Sequence, residues 1–133
     1  MINVSKECGI SDRVNFHKAI SNDELCLKLP EFDIFATHTE YWKISKAVLE
    51  PLLTGLPVII NKRNGDPVEE LSKDICLLTS NTLKGYHNAL LKMINNHDFR
   101  KQLGRRAFNH SQKYWSPKKT EKKFVAIYKK FFI

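Results

Sequence analysis

The sequence contains little that would cross a membrane, bind a metal or form disulfides. Its apolar runs, such as those at 58–60 and 75–78, are far shorter than the roughly 20 residues of a membrane-spanning helix. Its first residues lack the apolar core of a secretory signal. The three cysteines are odd in number and have no metal-ligand spacing, so we expect reduced thiols and no metal. These absences favour a cytoplasmic protein.

Acidic residues are scarce in the segment from Phe99 to Ile133, called here the basic segment. It has eleven Lys or Arg residues and one acid, Glu121, which gives a net charge of +10 in a chain whose overall charge is +8. Such a segment suits a polyanion or an anionic membrane surface. The aromatic residues that interleave with these charges are Phe99, Phe108, Tyr114, Trp115, Phe124 and Tyr128. Their helical spacing predicts a buried stripe, so nucleic acid is not the expected partner.

Short apolar runs alternate with amphipathic stretches along the chain, and its 133 residues leave room for one domain, residues 1–133. Strands are predicted at 14–17, 33–37, 57–60 and 75–79, and helices at 2–8, 21–30, 43–54, 83–95, 98–114 and 117–131. This alternation is typical of an α/β domain with a mostly parallel sheet covered by helices. The last third of the chain is predicted to be entirely helical.

In parallel sheets of this kind, ligands bind at the carboxyl ends of the strands. That rule selects the loops after His17, Thr37 and Ile60. The loop after Thr37 leads into a predicted helix that begins with Lys43 and Lys46. A helix N-terminus binds anions through its unpaired amides and its dipole, so a diphosphate is the expected ligand.

Several short motifs occur in an order that points to one family. They are Asp33-Ile34-Phe35, Glu40, Glu50 and Gly55-Leu56-Pro57-Val58, preceded by the segment 11–16 and followed by the segment 98–104. This order resembles the C-terminal domain of the retaining family-4 glycosyltransferases (glycosyl transferases group 1), which have the GT-B fold. The resemblance covers nearly the whole chain and implies a partial Rossmann-like domain.

The resemblance also implies a function and a set of site residues. The chain would belong to a glycosyltransferase that moves a sugar from a nucleotide-diphosphate sugar to a cell-surface glycan or a lipid-linked acceptor, with no metal cofactor. Glu50 would bind the ribose of the nucleotide, and Glu40 is the candidate catalytic residue near the donor sugar. The residues expected to contact the diphosphate and donor sugar are Trp42, Lys43, Ile44 and Ser45, with His17 and Lys18 near the nucleobase.

Compared with that family, the sequence has no N-terminal acceptor domain and no first two βα units. We therefore expect a truncated nucleotide-sugar-binding domain without transferase activity as the isolated chain. Its sheet would be completed by direct pairing of the strands at 14–17 and 33–37, by a second copy or by a missing N-terminal half. A cytoplasmic location, peripheral at the inner face of the membrane, is consistent with the basic segment. The alternative function is a basic nucleic-acid-binding or interaction module that uses the C-terminal helices.

Overall fold

The computed structural model describes residues 1–40, 44–63, 70–71 and 74–132. Helices and strands within these residues follow one another as α1 (Ile2–Glu7), α2 (Asn22–Lys28), β1 (Phe35–Thr37), α3 (Lys46–Thr54), β2 (Val58–Asn61), β3 (Leu77–Thr79), α4 (Leu83–Asn95), α5 (His97–Tyr114) and α6 (Pro117–Phe132). Two short 3₁₀ turns lie at Ser11–Arg13 and Leu29–Glu31. The α/β class predicted from the sequence is confirmed.

The three strands form one parallel sheet in the order β1-β2-β3. Ile59 in the central strand β2 is aligned with Ala36 of β1 and with Leu77 of β3. All four residues of β2 are buried, which is typical of a parallel strand covered on both faces.

Side chains from the two faces of β2 lie in two separate apolar clusters, because successive side chains of a strand point to opposite faces. Val58 and Ile60 pack in one cluster, whose other buried members are Val48, Leu52, Leu71, Ile75, Cys76 and Ala107. Ile59 packs in the other cluster with Ala89, Met93 and Leu103. Helix α5 supplies a residue to each cluster and so connects the two faces of the sheet.

Helix α3 ends at a glycine that has a left-handed backbone. Gly55 has φ of 80°, a conformation that costs little only in a residue without a β-carbon. Directly after it, the amide of Leu56 donates a hydrogen bond to the carbonyl of Pro51 at 2.9 Å. A β-carbon on Gly104 of α5 would collide with the carbonyl oxygen of Gly55. The two glycines therefore set the close approach of α3 and α5.

Most predicted helices are confirmed, and their ends follow the expected capping chemistry. Ser21 caps α2 by accepting a hydrogen bond from the amide of Glu24 at 3.2 Å, and α6 begins at Pro117 directly after Ser116. The helix predicted at 43–54 begins only at Lys46, because Ser45 is extended and occupies the N-cap position.

The strand predicted at 14–17 is wrong. These residues form no regular secondary structure and Phe16 is 46% exposed. A strand is stable only when its backbone pairs with a neighbour, and none of the described strands pairs with this segment. The sheet seen in the described residues thus has three strands instead of the four expected.

The aromatic residues of the basic segment divide between two environments. Trp115 packs against the first apolar cluster and Phe99 against the second, as the helical spacing predicts. Phe108 and Tyr114 of α5 and Phe124 and Tyr128 of α6 are exposed, so the predicted buried stripe is wrong for these four residues. No helix in the described part of the chain is long and apolar enough to cross a membrane.

Candidate functional site

The three parallel strands end at one edge of the sheet, called here the carboxyl edge. Thr37, Asn61 and Thr79 are the last residues of β1, β2 and β3. Two of the three loops selected from the sequence start at this edge. The third does not, because no strand forms before His17.

The side chain of Asn61 holds the loop that follows β1. Its Oδ1 accepts from the backbone amide of Thr39 at 2.9 Å, and its Nδ2 donates to the carbonyl of the same residue at 2.9 Å. Asn61 is only 6% exposed, and both bonds are partly buried. This pairing fixes the position at which the chain leaves β1 and turns towards α3.

Tyr86 of α4 contacts both the end of β1 and Asn61. Its hydroxyl donates to the carbonyl of Thr37 at 2.7 Å and lies 3.4 Å from Oδ1 of Asn61. Burial raises the pKa of Tyr86, while its contact with Asn61 acts in the opposite direction. The hydroxyl therefore keeps its proton and remains a donor at physiological pH.

Glycine is required where α4 begins beside the carboxyl edge. Thr82 caps α4 by accepting from the amide of Gly85 at 3.0 Å. A β-carbon on Gly85 would collide with the hydroxyl of Ser80 and would lie 2.9 Å from Oγ1 of Thr79. The start of α4 is thus packed directly onto the end of β3.

The N-terminus of α3 also lies beside the carboxyl edge. Ser45 is its N-cap, but the serine hydroxyl makes no capping hydrogen bond. The carbonyl of Ser45 accepts from the amides of Val48 and Leu49, so the amides of Lys46 and Ala47 precede the hydrogen-bond ladder of the helix. Both of these residues are exposed, and Lys46 adds a full positive charge to the dipole.

Arg63 brings a second cation to this edge, two residues after the end of β2. Its Nε and Nη2 atoms are buried and have no hydrogen-bond partner among the described residues. None of the ion pairs in the described part of the chain includes it. Arg63 as a whole is half-buried. Because a buried guanidinium nitrogen without an acceptor is costly, this position is suited to a bound anion.

Glu50 lies on the same side of α3 as Lys46, one turn further from the carboxyl edge. It is half-buried and takes part in none of the ion pairs formed by described residues. Its carboxylate can therefore accept hydrogen bonds from a ligand. Glu40 is exposed in the loop immediately after Thr39.

The positions of the other predicted site residues give little support for their assigned roles. The side chain of Ile44 packs against the first apolar cluster, so only its backbone can face a ligand. His17 and Lys18 are exposed in the irregular segment between the first 3₁₀ turn and α2. Trp42 and Lys43 lie outside the described residues. The assignments of all these residues, and of Glu40, Ser45 and Glu50, stay predictions.

Three residues of this edge were missed by the sequence analysis: Asn61, Arg63 and Tyr86. The position of Asn61 and Arg63 directly after the predicted strand at 57–60 was a usable signal, because the loop after Ile60 had already been selected. Nothing in the sequence indicates Tyr86, whose role depends on a contact with Thr37 that spans 49 positions.

The three parallel strands, their helical cover and the polar carboxyl edge define a Rossmann-like α/β fold, and its similarity to a solved GT-B structure shows that it is part of the GT-B fold. A solved structure of this class is similar to the chain: sucrose-phosphate synthase from Thermosynechococcus elongatus, with a TM-score of 0.80 and 16% sequence identity. The match covers 98% of this chain and 33% of that one, so the chain spans about a third of its length. At this identity the likeness shows the fold alone.

Comparisons of the sequence itself give no match. No protein-family model matches the chain, and no curated protein matches it.

Proposed function

We propose that this chain binds the nucleoside diphosphate of a nucleotide sugar at the carboxyl edge, as the donor-binding part of a glycosyltransferase. The observation that carries the proposal is the half-buried Arg63 at that edge, whose Nε and Nη2 atoms are buried without a hydrogen-bond partner among the described residues. It is accompanied by the start of α3, where Lys46 and the first amides are exposed. A diphosphate has the charge and the acceptor oxygens that such groups bind.

Glu50 is proposed to bind the ribose. Its half-buried carboxylate has two oxygens that can accept from the two hydroxyls of a vicinal diol. Because Glu50 lies one turn along α3 from Lys46, a diphosphate at the helix start would place the attached ribose within reach of the carboxylate.

The similarity to a sucrose-phosphate synthase supports sugar transfer as the reaction class. Such transfer depends on positioning both reactants and on stabilising the leaving diphosphate. Since the chain covers 33% of that structure, we expect the isolated chain to bind the donor without transferring its sugar. Turnover of a nucleotide-diphosphate sugar by the purified 133-residue chain would contradict this part of the proposal.

The proposal is tested by titrating the purified chain with UDP, GDP and ADP in a calorimeter. We expect saturable binding of at least one of these nucleotides with a 1:1 stoichiometry. Arg63→Gln removes the charge and we expect it to weaken binding by about tenfold or more, because hydrogen bonds to charged groups contribute about 1.5–3 kcal/mol. Glu50→Ala is expected to weaken binding of the nucleotide, because the ribose loses its acceptor, and to leave binding of inorganic diphosphate unchanged.

Two matched variants serve as controls. Arg105→Gln removes the same charge from an exposed position on α5, and Glu7→Ala removes a carboxylate from α1. Neither should change the dissociation constant. Equal weakening by Arg63→Gln and Arg105→Gln would mean that the nucleotide responds only to net charge, and the proposed site would then be wrong.

A further inference from the structure

Helix α6 presents a large apolar surface to solvent. No residue of the helix is buried. Phe124 and Phe131 are each 70% exposed and Phe132 is 72% exposed. By contrast, α5 buries Leu103 and Ala107 in the two apolar clusters. A helix that buries none of its apolar side chains leaves them available for another surface.

The apolar and basic residues of α6 are on opposite sides of the helix. At about 100° per residue, the large apolar side chains fall within an arc of roughly 160°; they are Phe124, Val125, Ile127, Tyr128, Phe131 and Phe132. The lysines fall on the remaining side; they are Lys118, Lys119, Lys122, Lys123, Lys129 and Lys130. Glu121 is the one acid of the helix, and at the same spacing it falls inside the apolar arc, between Tyr128 and Phe132. The helix carries a net charge of +5.

We propose that α6 binds in the plane of an anionic lipid surface. Its phenylalanines would lie in the boundary between headgroups and acyl chains, and its lysines would face the lipid phosphates. Helices that bind in this way have a broad apolar face and a Lys-rich polar face, and each basic residue near an anionic leaflet adds to the attraction. This inference does not depend on nucleotide binding at the carboxyl edge.

The charge of α6 favours a lipid surface over a second copy of the chain. Two α6 helices packed through their apolar faces would bring two charges of +5 together, with Glu121 of each copy as the only acid on the helix to compensate. Nucleic acid would neutralise the lysines but would leave the apolar face in water. An anionic bilayer would accommodate both the lysines and the phenylalanines of the helix.

The test is co-sedimentation of the chain with lipid vesicles. One set contains phosphatidylcholine alone, and the other contains about one third phosphatidylglycerol, which provides an anionic surface. We expect binding to the anionic vesicles and at least about a tenfold lower affinity for the neutral ones. The double variant Phe124→Ser/Phe131→Ser should lose at least about tenfold in affinity for the anionic vesicles.

The matched control is Leu27→Ser/Leu83→Ser, which removes two exposed leucines from α2 and α4, where they are 78% and 92% exposed. It should bind like the parent chain. For the charges, Lys122→Glu/Lys129→Glu should abolish the preference for anionic vesicles, whereas Lys84→Glu/Lys101→Glu on α4 and α5 should weaken it much less. Circular dichroism establishes that each variant is folded.

Three results would overturn the proposal. The first is equal binding to neutral and anionic vesicles. The second is no vesicle binding together with a dimer that dissociates in Phe124→Ser/Phe131→Ser, because α6 would then be covered by a second copy. The third is no vesicle binding together with affinity for a duplex oligonucleotide that the phenylalanine variant retains.

Discussion

The side chain of Asn61 pairs with the backbone of Thr39 through two hydrogen bonds of 2.9 Å: its Oδ1 accepts from the Thr39 amide, and its Nδ2 donates to the Thr39 carbonyl. The two residues are 22 positions apart in the sequence. This contact joins the end of β2 to the loop after β1 and thereby positions the carboxyl edge at which we place the nucleotide.

Asn61→Ala should therefore destabilise the protein and loosen this loop. It removes the two side-chain hydrogen bonds to the backbone of Thr39, at a cost of about 1–3 kcal/mol for the pair, because the bonds are only partly buried. Urea unfolding gives the change in the free energy of unfolding, and hydrogen exchange at the Thr39 amide should become faster. The control is Asn109→Ala, at an exposed position on α5. It should not lower the free energy of unfolding, since alanine favours helices.

The buried thiol of Cys76 makes the stability depend on pH in the alkaline range. Burial raises the pKa of Cys76 from 9.0 to about 12. The unfolded chain loses this proton near the ordinary value, whereas the folded chain retains it. The contribution of Cys76 to stability is therefore complete below about pH 9 and is lost as the pH rises towards about 12, by up to roughly 4 kcal/mol.

Comparison of variants isolates this effect. The free energy of unfolding of Cys76→Ala should fall less between pH 9 and pH 11 than that of the parent chain, although the variant starts from a lower value because of its cavity. Cys8→Ala changes an exposed thiol and should follow the parent curve. If the free energy of unfolding fell equally with pH for the parent chain and for Cys76→Ala, the Cys76 thiol would not be the cause of the pH dependence.

Much of this architecture could be predicted from the sequence because its signals are local. The cap at Ser21, the proline that starts α6 and the apolar runs of the three strands each depend on neighbouring residues. The strand predicted at 14–17 failed because a strand requires a pairing partner, which local sequence does not reveal. The late start of α3 did not follow from local sequence either: serine is a favoured N-cap residue, but the Ser45 hydroxyl makes no capping hydrogen bond.

The candidate site was predictable only in its outline. The rule for parallel sheets located the loop after Thr37, but the residues that hold this loop come from distant parts of the chain. Tyr86 and Asn61 contact it only because α4 and β2 pack beside β1. The exposure of Phe124 was also not predictable, since the same helical spacing describes both a buried stripe and an unpartnered one.

Gly104→Ala should separate α3 from α5. The added β-carbon would collide with the carbonyl oxygen of Gly55, a backbone atom that cannot rotate away. Overpacking of this kind costs about 1–3 kcal/mol, measurable as a lower urea midpoint. Gln102→Ala, on the exposed side of the same helix, should leave the midpoint unchanged; an unchanged midpoint for Gly104→Ala would mean that the helices are not in such close contact.

Helix α6 should contribute little to the stability of the domain. Because Phe124 and Phe131 are exposed, replacing either with serine should change the free energy of unfolding by no more than about 0.5 kcal/mol. Leu103→Ala, in the second apolar cluster, should cost about 2–5 kcal/mol. A loss of about 2–5 kcal/mol in the free energy of unfolding for Phe124→Ser would instead mean that α6 packs against the domain in solution.

Nucleotide binding at the carboxyl edge is tested most directly by following the nitrogen–proton NMR spectrum of the chain during titration with UDP, GDP and ADP. We expect saturable shifts for the amides of Lys46 and Ala47 and for the Nε proton of Arg63, produced by at least one of these nucleotides. Shifts confined to residues 117–132 would mean that the nucleotide is attracted only by the charge of α6, and would contradict the proposed site.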